Sequence, residues 1–118
     1  MNDMVKEARK RLLDRCKAIE SLIGDVDREE TALQNGAHPD VLDSASHREP
    51  IAALETIRGV QEKELKELDA ALARIENGTY GACQMCGGAV GRQRLRAIPE
   101  ARFCIECVST RTRIAAAS

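Results

Sequence analysis

The chain has 118 residues, 31% of them charged, and only two aromatic side chains, Tyr80 and Phe103, with no tryptophan. That composition argues against a large packed core and for a helical body with much solvated surface. The formal charge of −1 conceals an asymmetry: residues 1–82 hold 12 Lys or Arg against 17 Asp or Glu, net −5, and residues 83–118 hold 6 against 2, net +4. Four cysteine thiolates on one divalent metal would lower that tail to about +2, so strong nonspecific DNA binding is not implied. The apolar runs fall far short of the roughly 20 residues that span a bilayer, and no basic-then-apolar leader precedes them, which predicts a soluble cytoplasmic protein.

From about residue 3 to 35, Val5, Ala8, Leu12, Cys16, Ile19, Ile23, Val26, Glu30 and Leu33 recur at steps of three and four. This heptad spacing predicts a helix that lays one narrow stripe on a partner, with Cys16 on the stripe as a core thiol. Gly36 and Pro39 end it, and residues 36–49 are predicted to form a tip loop. Ser46 and Glu49 have capping-box spacing for the next helix, but Pro50 places its start nearer Pro50 or kinks it. The second stripe is read as Ile51, Leu54, Ile57, Gln61, Leu65, Leu68, Leu72 and Ile75, weakened at Gly59 and Gln61 and stopped at Asn77-Gly78. Two stripes of similar length predict an antiparallel two-helix coiled-coil hairpin over residues 1–78, with its tip about 40 Å from the far end at 1.5 Å per residue.

Residues 79–118 are predicted to form a second part, a small four-cysteine zinc-finger lobe with a C-terminal helix. Cys83-x-x-Cys86 and Cys104-x-x-Cys107 are separated by 17 residues. A two-residue spacer lets both thiolates of a pair reach one ion, and Gly87 lets backbone amides approach the sulfurs, so one zinc fits. Four protein ligands leave no open position, which makes the metal structural. An iron–sulfur cluster and a redox dithiol are the other readings of the pairs. Arg92, Arg94 and Arg96 alternate with Gln93, Leu95 and Ala97, which predicts a short strand with a basic side; together with Arg102 they form either a contact for phosphate or an acidic partner or a solvated face. A helix is predicted from Ile105 to about Ala117, with Arg111 and Arg113 exposed. His38 and His47 sit in polar surroundings and read as solvent-exposed. No nucleophile triad, phosphate-cradling loop or open metal triad is visible, so the chain is not expected to be an enzyme. Asp40 and Asp43, the only acids between Glu30 and Glu49, read either as ordinary turn chemistry or as carboxylates presented by the arm.

Tyr80-Gly81-x-Cys83-x-x-Cys86-Gly87, then Arg94-Leu95-x-Ala97-x-Pro99-x-Ala101, then Cys104-x-x-Cys107, resembles the signature of the DksA/TraR zinc-finger family. Asp40-x-x-Asp43-x-Ala45 resembles that family's coiled-coil tip motif. The resemblance implies a mainly α regulator that binds bacterial RNA polymerase rather than DNA, inserting its tip into the secondary channel to alter promoter-complex lifetime. It implies Asp40, Asp43 and Ala45 as the functional tip; from the arginine cluster, Arg94 and Arg96 are candidate polymerase contacts. Members that share an alarmone (ppGpp) site with polymerase carry basic residues where this chain has Glu67, Ile98 and Val108, so a weak ppGpp response or none is expected. Two rivals stand beside this reading: a Gre-like transcript-cleavage factor whose acidic tip holds magnesium, and a zinc-stapled coiled-coil adaptor with no polymerase role.

Overall fold

The computed structural model describes residues 3–35 and 44–117. Asp40 and Asp43 lie outside the described residues, as does His38. Four helices follow in order: α1 (Asp3–Gln34), α2 (Ser44–Asn77), α3 (Arg92–Ala97) and α4 (Ile105–Ala117). Packing divides the chain into two compact units, one of Met1–Asp14 with Glu67–Ser118 and one of Arg15–Lys66. Both long helices therefore contribute to both units. Among the described residues no helix is long and apolar enough to cross a membrane.

Residues 44–49, predicted as loop, are already helical, and Pro50 lies inside α2. At the other end the expected stop holds. Gly78 adopts φ 76°, its amide donates to the Ile75 carbonyl at 3.3 Å, and the Thr79 amide donates to the Arg74 carbonyl at 2.9 Å. That pair of bonds closes the helix by a Schellman turn, whose left-handed residue glycine tolerates best.

In the Arg15–Lys66 unit the α1 stripe is as the heptads predict. Cys16, Ile19, Val26 and Leu33 are buried, and Ile23 and Glu30 are half-buried. The α2 stripe is not the predicted one. Ile57 is 42% exposed, whereas Arg58 is half-buried beside Ile51, Leu54, Gln61 and Leu65. A step of four from Leu54 to Arg58 restores the alternation of three and four that a step to Ile57 breaks. Arg58 answers Glu30 on the opposite helix: its guanidinium donates to Glu30 and, at 3.0 and 2.6 Å, to Asp27 Oδ1. These hydrogen bonds, Glu30 first, raise the Arg58 pKa above its ordinary value. Arg15 pairs with Glu64 at 2.8 Å, so partners rise in number on α1 as they fall on α2, the antiparallel arrangement.

In the other unit, Ala8 and Leu12 from α1 and Leu68, Ala71 and Ile75 from α2 are buried. Arg74 is buried with them and donates to the Glu100 carbonyl at 3.2 Å, while burial holds its pKa below the usual guanidinium value. The first turns of α1 are tied to the zinc-finger segment twice. Met4 packs against that segment's core, and the Arg11 guanidinium donates to the Arg96 carbonyl.

Candidate metal centre

The lobe begins where α2 stops. The Ala82 amide donates to the Thr79 carbonyl at 3.2 Å, and the Val90 amide donates to the Gly81 carbonyl at 2.8 Å, pairing Ala82 with Ala89 in a single antiparallel bridge. Between those two points the chain folds as a tight knuckle. Cys83 N–H donates to the Gly88 carbonyl at 2.7 Å, and Gly87 N–H donates back to the Cys83 carbonyl at 3.0 Å. Gly87 has φ 77°, which turns the chain so that Cys83 and Cys86 face the same point.

The segment Arg92–Ala97, expected as a strand, is instead the short helix α3. Six residues with one buried apolar position, Leu95, satisfy a period of two or of 3.6 equally well, so alternation could not decide. Local bonding does: Gly91 at φ 106° lets the chain turn, and the Leu95 amide closes a helical bond to the Gly91 carbonyl at 3.0 Å. From α3 the chain passes through a turn at Pro99 to Cys104, and the Gln84 amide donates to the Arg102 carbonyl at 2.9 Å, binding the two cysteine pairs together. Cys107 then sits in the first turn of α4, which runs over the predicted residues.

The four sulfurs of Cys83, Cys86, Cys104 and Cys107 lie within 4.8 Å of one another, with 3.9 Å between those of Cys86 and Cys104. A tetrahedral zinc with Zn–S bonds of about 2.3 Å needs sulfurs on the order of 3.8 Å apart, so the donor set fits one ion. Cys83 is buried, Cys104 and Cys107 half-buried, and Cys86 exposed. Backbone amides point at the sulfurs, Gly88 N–H to Cys86 Sγ and Cys104 N–H to Cys83 Sγ, both at 3.4 Å. Such bonds stabilise thiolate. Amide donors, that of Cys86 foremost, hold the Cys83 pKa down at about 6, whereas hydrogen bonding with Cys104 pushes the Cys107 thiol well above its ordinary value. Neighbouring sulfurs cannot all ionise unaided, and a divalent cation supplies the missing positive charge. When bound, the metal cross-links the knuckle to the start of α4; the chain's own residues leave it no fifth protein ligand in this cluster and thus a structural part.

The residues around the cysteines have structural work of their own. The Tyr80 hydroxyl donates to the Pro99 carbonyl at 2.8 Å, and burial raises its pKa. Arg94 Nε donates to the Phe103 carbonyl at 2.9 Å, which leaves Arg96 as the exposed member of the candidate pair. Arg102 and Arg111 guanidiniums lie 5.1 and 4.4 Å from the Phe103 ring centroid, within cation–π reach, and Arg102 Nε also pairs with Glu67 at 3.2 Å. The sequence pattern held no signal for these partnerships, since a period read along one element says nothing of contacts made across a turn or between elements. Ile98 is exposed, Val108 half-buried, and Ala45 falls in the first turn of α2.

Gly81 has φ 91°, and a Cβ added there would lie 3.5 Å from Leu95 Cδ1. Gly81→Ala is therefore expected to destabilise the zinc-loaded protein by about 1–2 kcal/mol, from backbone strain rather than crowding. The midpoint of a urea unfolding curve checks this.

Residues 78–113 match the prokaryotic dksA/traR C4-type zinc finger. An uncharacterized Aquifex aeolicus protein is 44% identical over 54 residues, 46% of this chain and 37% of that protein, so the chain spans little over a third of its length. The Salmonella typhimurium RNA polymerase-binding transcription factor DksA is 32% identical over 109 residues, which cover 91% of this chain and 71% of that one. The structure of transcription factor DksA2 from Pseudomonas aeruginosa superposes with a TM-score of 0.86 at 27% identity, over 97% of this chain and 87% of the other. With its four sulfurs arranged for one zinc and this likeness along nearly its whole length, the chain belongs to the DksA/TraR family of C4-type zinc-finger proteins.

Proposed function

We propose that the protein is a transcription regulator that binds bacterial RNA polymerase, enters the secondary channel with the tip of its helical hairpin, and alters promoter-complex stability. The observation that carries this reading is the match to a relative named as an RNA polymerase-binding transcription factor over 91% of the chain. The antiparallel pairing of α1 and α2, the thiolate site built for a structural metal, and the tip motif Asp40-x-x-Asp43-x-Ala45 in the sequence support it. In this reading the zinc lobe is structural and Asp40, Asp43 and Ala45 act, while Arg96 is an exposed candidate contact. Glu67 supports the expectation of a weak ppGpp response or none, because it carries the wrong charge for a phosphate and already pairs with Arg102.

Binding to core polymerase, with competition by a known secondary-channel factor, tests the partner. Asp43→Asn is expected to leave folding and polymerase affinity nearly unchanged and to abolish the effect on promoter-complex lifetime. Unaltered regulation by that variant would remove the tip assignment. Cleavage of the transcript in a backtracked complex would replace regulation with a Gre-like activity.

A further inference from the structure

Every buried apolar residue of the Arg15–Lys66 unit that the structure describes, Cys16, Ile19, Val26 and Leu33, belongs to α1. Among the described side chains of the facing half of α2, those that cover them are half-buried and none is buried. That half is also weak as a helix. Pro50 has no amide to donate to the turn before it, the Thr56 hydroxyl back-bonds to the Ala52 carbonyl at 3.0 Å, and Gly59 lies in open space with nothing within 4 Å of where a Cβ would stand. Against this background stands Arg58, with 24% of its side chain exposed, donating from Nε and Nη2 to Asp27 and from Nη2 to Glu30, whose side chain is only 12% exposed. One guanidinium thus joins two carboxylates one turn apart on α1, a geometry that a lysine's single ammonium cannot match.

We propose that Arg58, with Asp27 and Glu30, is an electrostatic clasp that sets how readily the N-terminal half of α2 opens from α1. The half-buried apolar seam fixes where the helices meet, and the clasp decides how long they stay together there. Opening breaks at least three charged hydrogen bonds at once, whereas around Leu68, Ala71 and Ile75 opening exposes buried apolar surface. The two ends of the same helix therefore answer to different solution conditions: salt weakens the first and leaves the second nearly untouched. Because α2 begins at Ser44, next to Asp43, the clasp also governs the helix to which the tip motif is joined. That consequence rests on the proposed function; the clasp itself does not.

The test is amide exchange on the zinc-loaded full chain, which involves no polymerase. Raising salt from about 0.01 M to about 1 M, which shortens the screening length from roughly 30 Å to roughly 3 Å, is expected to speed exchange of residues 54–61 about threefold and leave residues 68–75 unchanged. Arg58→Met is expected to speed exchange of residues 54–61 about tenfold at low salt and to remove most of its salt dependence, the Arg15–Glu64 pair being left in place, with Arg58→Lys between the two. Salt-insensitive exchange of residues 54–61 in the unmodified protein would overturn the clasp. So would an equal acceleration of both segments, which marks a global loss of stability. If Arg58→Met does not fold, the salt comparison on the unmodified chain still decides.

Discussion

Removing zinc with a chelator is expected to unfold the lobe, with residues 82–104 losing amide protection, and adding zinc back is expected to restore it. The physical reason is the size of what lies beneath the metal. The lobe's buried cluster is Cys83, Val90, Leu95 and Ala101, with Met4, Tyr80, Phe103, Cys104 and Cys107 partly buried against it, so three of the nine are themselves ligands. Such a cluster cannot offset the entropy of ordering this much loop, and structural zinc supplies on the order of 10 kcal/mol in small fingers. Cys83→Ala should act like the chelator, because it removes the buried ligand and the acceptor of the Cys104 amide at once. Retention of lobe protection in either experiment would show that the apolar cluster suffices.

The pH dependence of zinc uptake follows from the two shifted thiols, and their signs differ. Cys83 is depressed from 9.0 to about 6, so above about pH 6 it meets the ion as thiolate, and that readiness is lost as pH falls through about 6. Cys107 is raised, so across neutral pH it stays a thiol until the metal displaces its proton. Zinc takes both as thiolates. Its uptake near pH 7 should release protons, that of Cys107 among them, and its affinity should fall on acidification.

How far such behaviour is readable in advance depends on the range of the interactions. The cysteine pairs and the C-terminal helix were legible because ligand spacing and helical period are local properties of the sequence. So were the α1 stripe and the stop at Gly78. The strand expected at Arg92–Ala97 was lost to local bonding at Gly91, and the loop expected through residue 49 to helix that begins at Ser44 despite Pro50. The Arg58 seam position was missed for a different reason. A hydrophobic template prefers Ile57 to an arginine one place on, and only the carboxylates across the interface, Asp27 and Glu30, reverse that preference. The partner that satisfies a half-buried charge is distant in sequence, so a pattern read along one helix cannot contain it.

The corrected register makes the other large prediction, a contrast between two residues that an uncorrected stripe treats alike. Leu68→Ala is expected to cost about 2–5 kcal/mol, because Leu68 is 2% exposed and its removal leaves a cavity in the unit that also holds Leu12 and Ala71. Ile57→Ala is expected to fall within about 0.5 kcal/mol of the unmodified protein, since Ile57 is 42% exposed and its truncation opens to solvent rather than leaving an enclosed void. Both measurements belong on the zinc-loaded chain, by denaturant titration followed through helical circular dichroism, so that metal loss does not enter the comparison. Similar costs at the two positions would restore Ile57 to the seam and displace Arg58 from it. A large cost at Leu68 alone leaves Ile57 outside the seam, as the step of four from Leu54 to Arg58 requires.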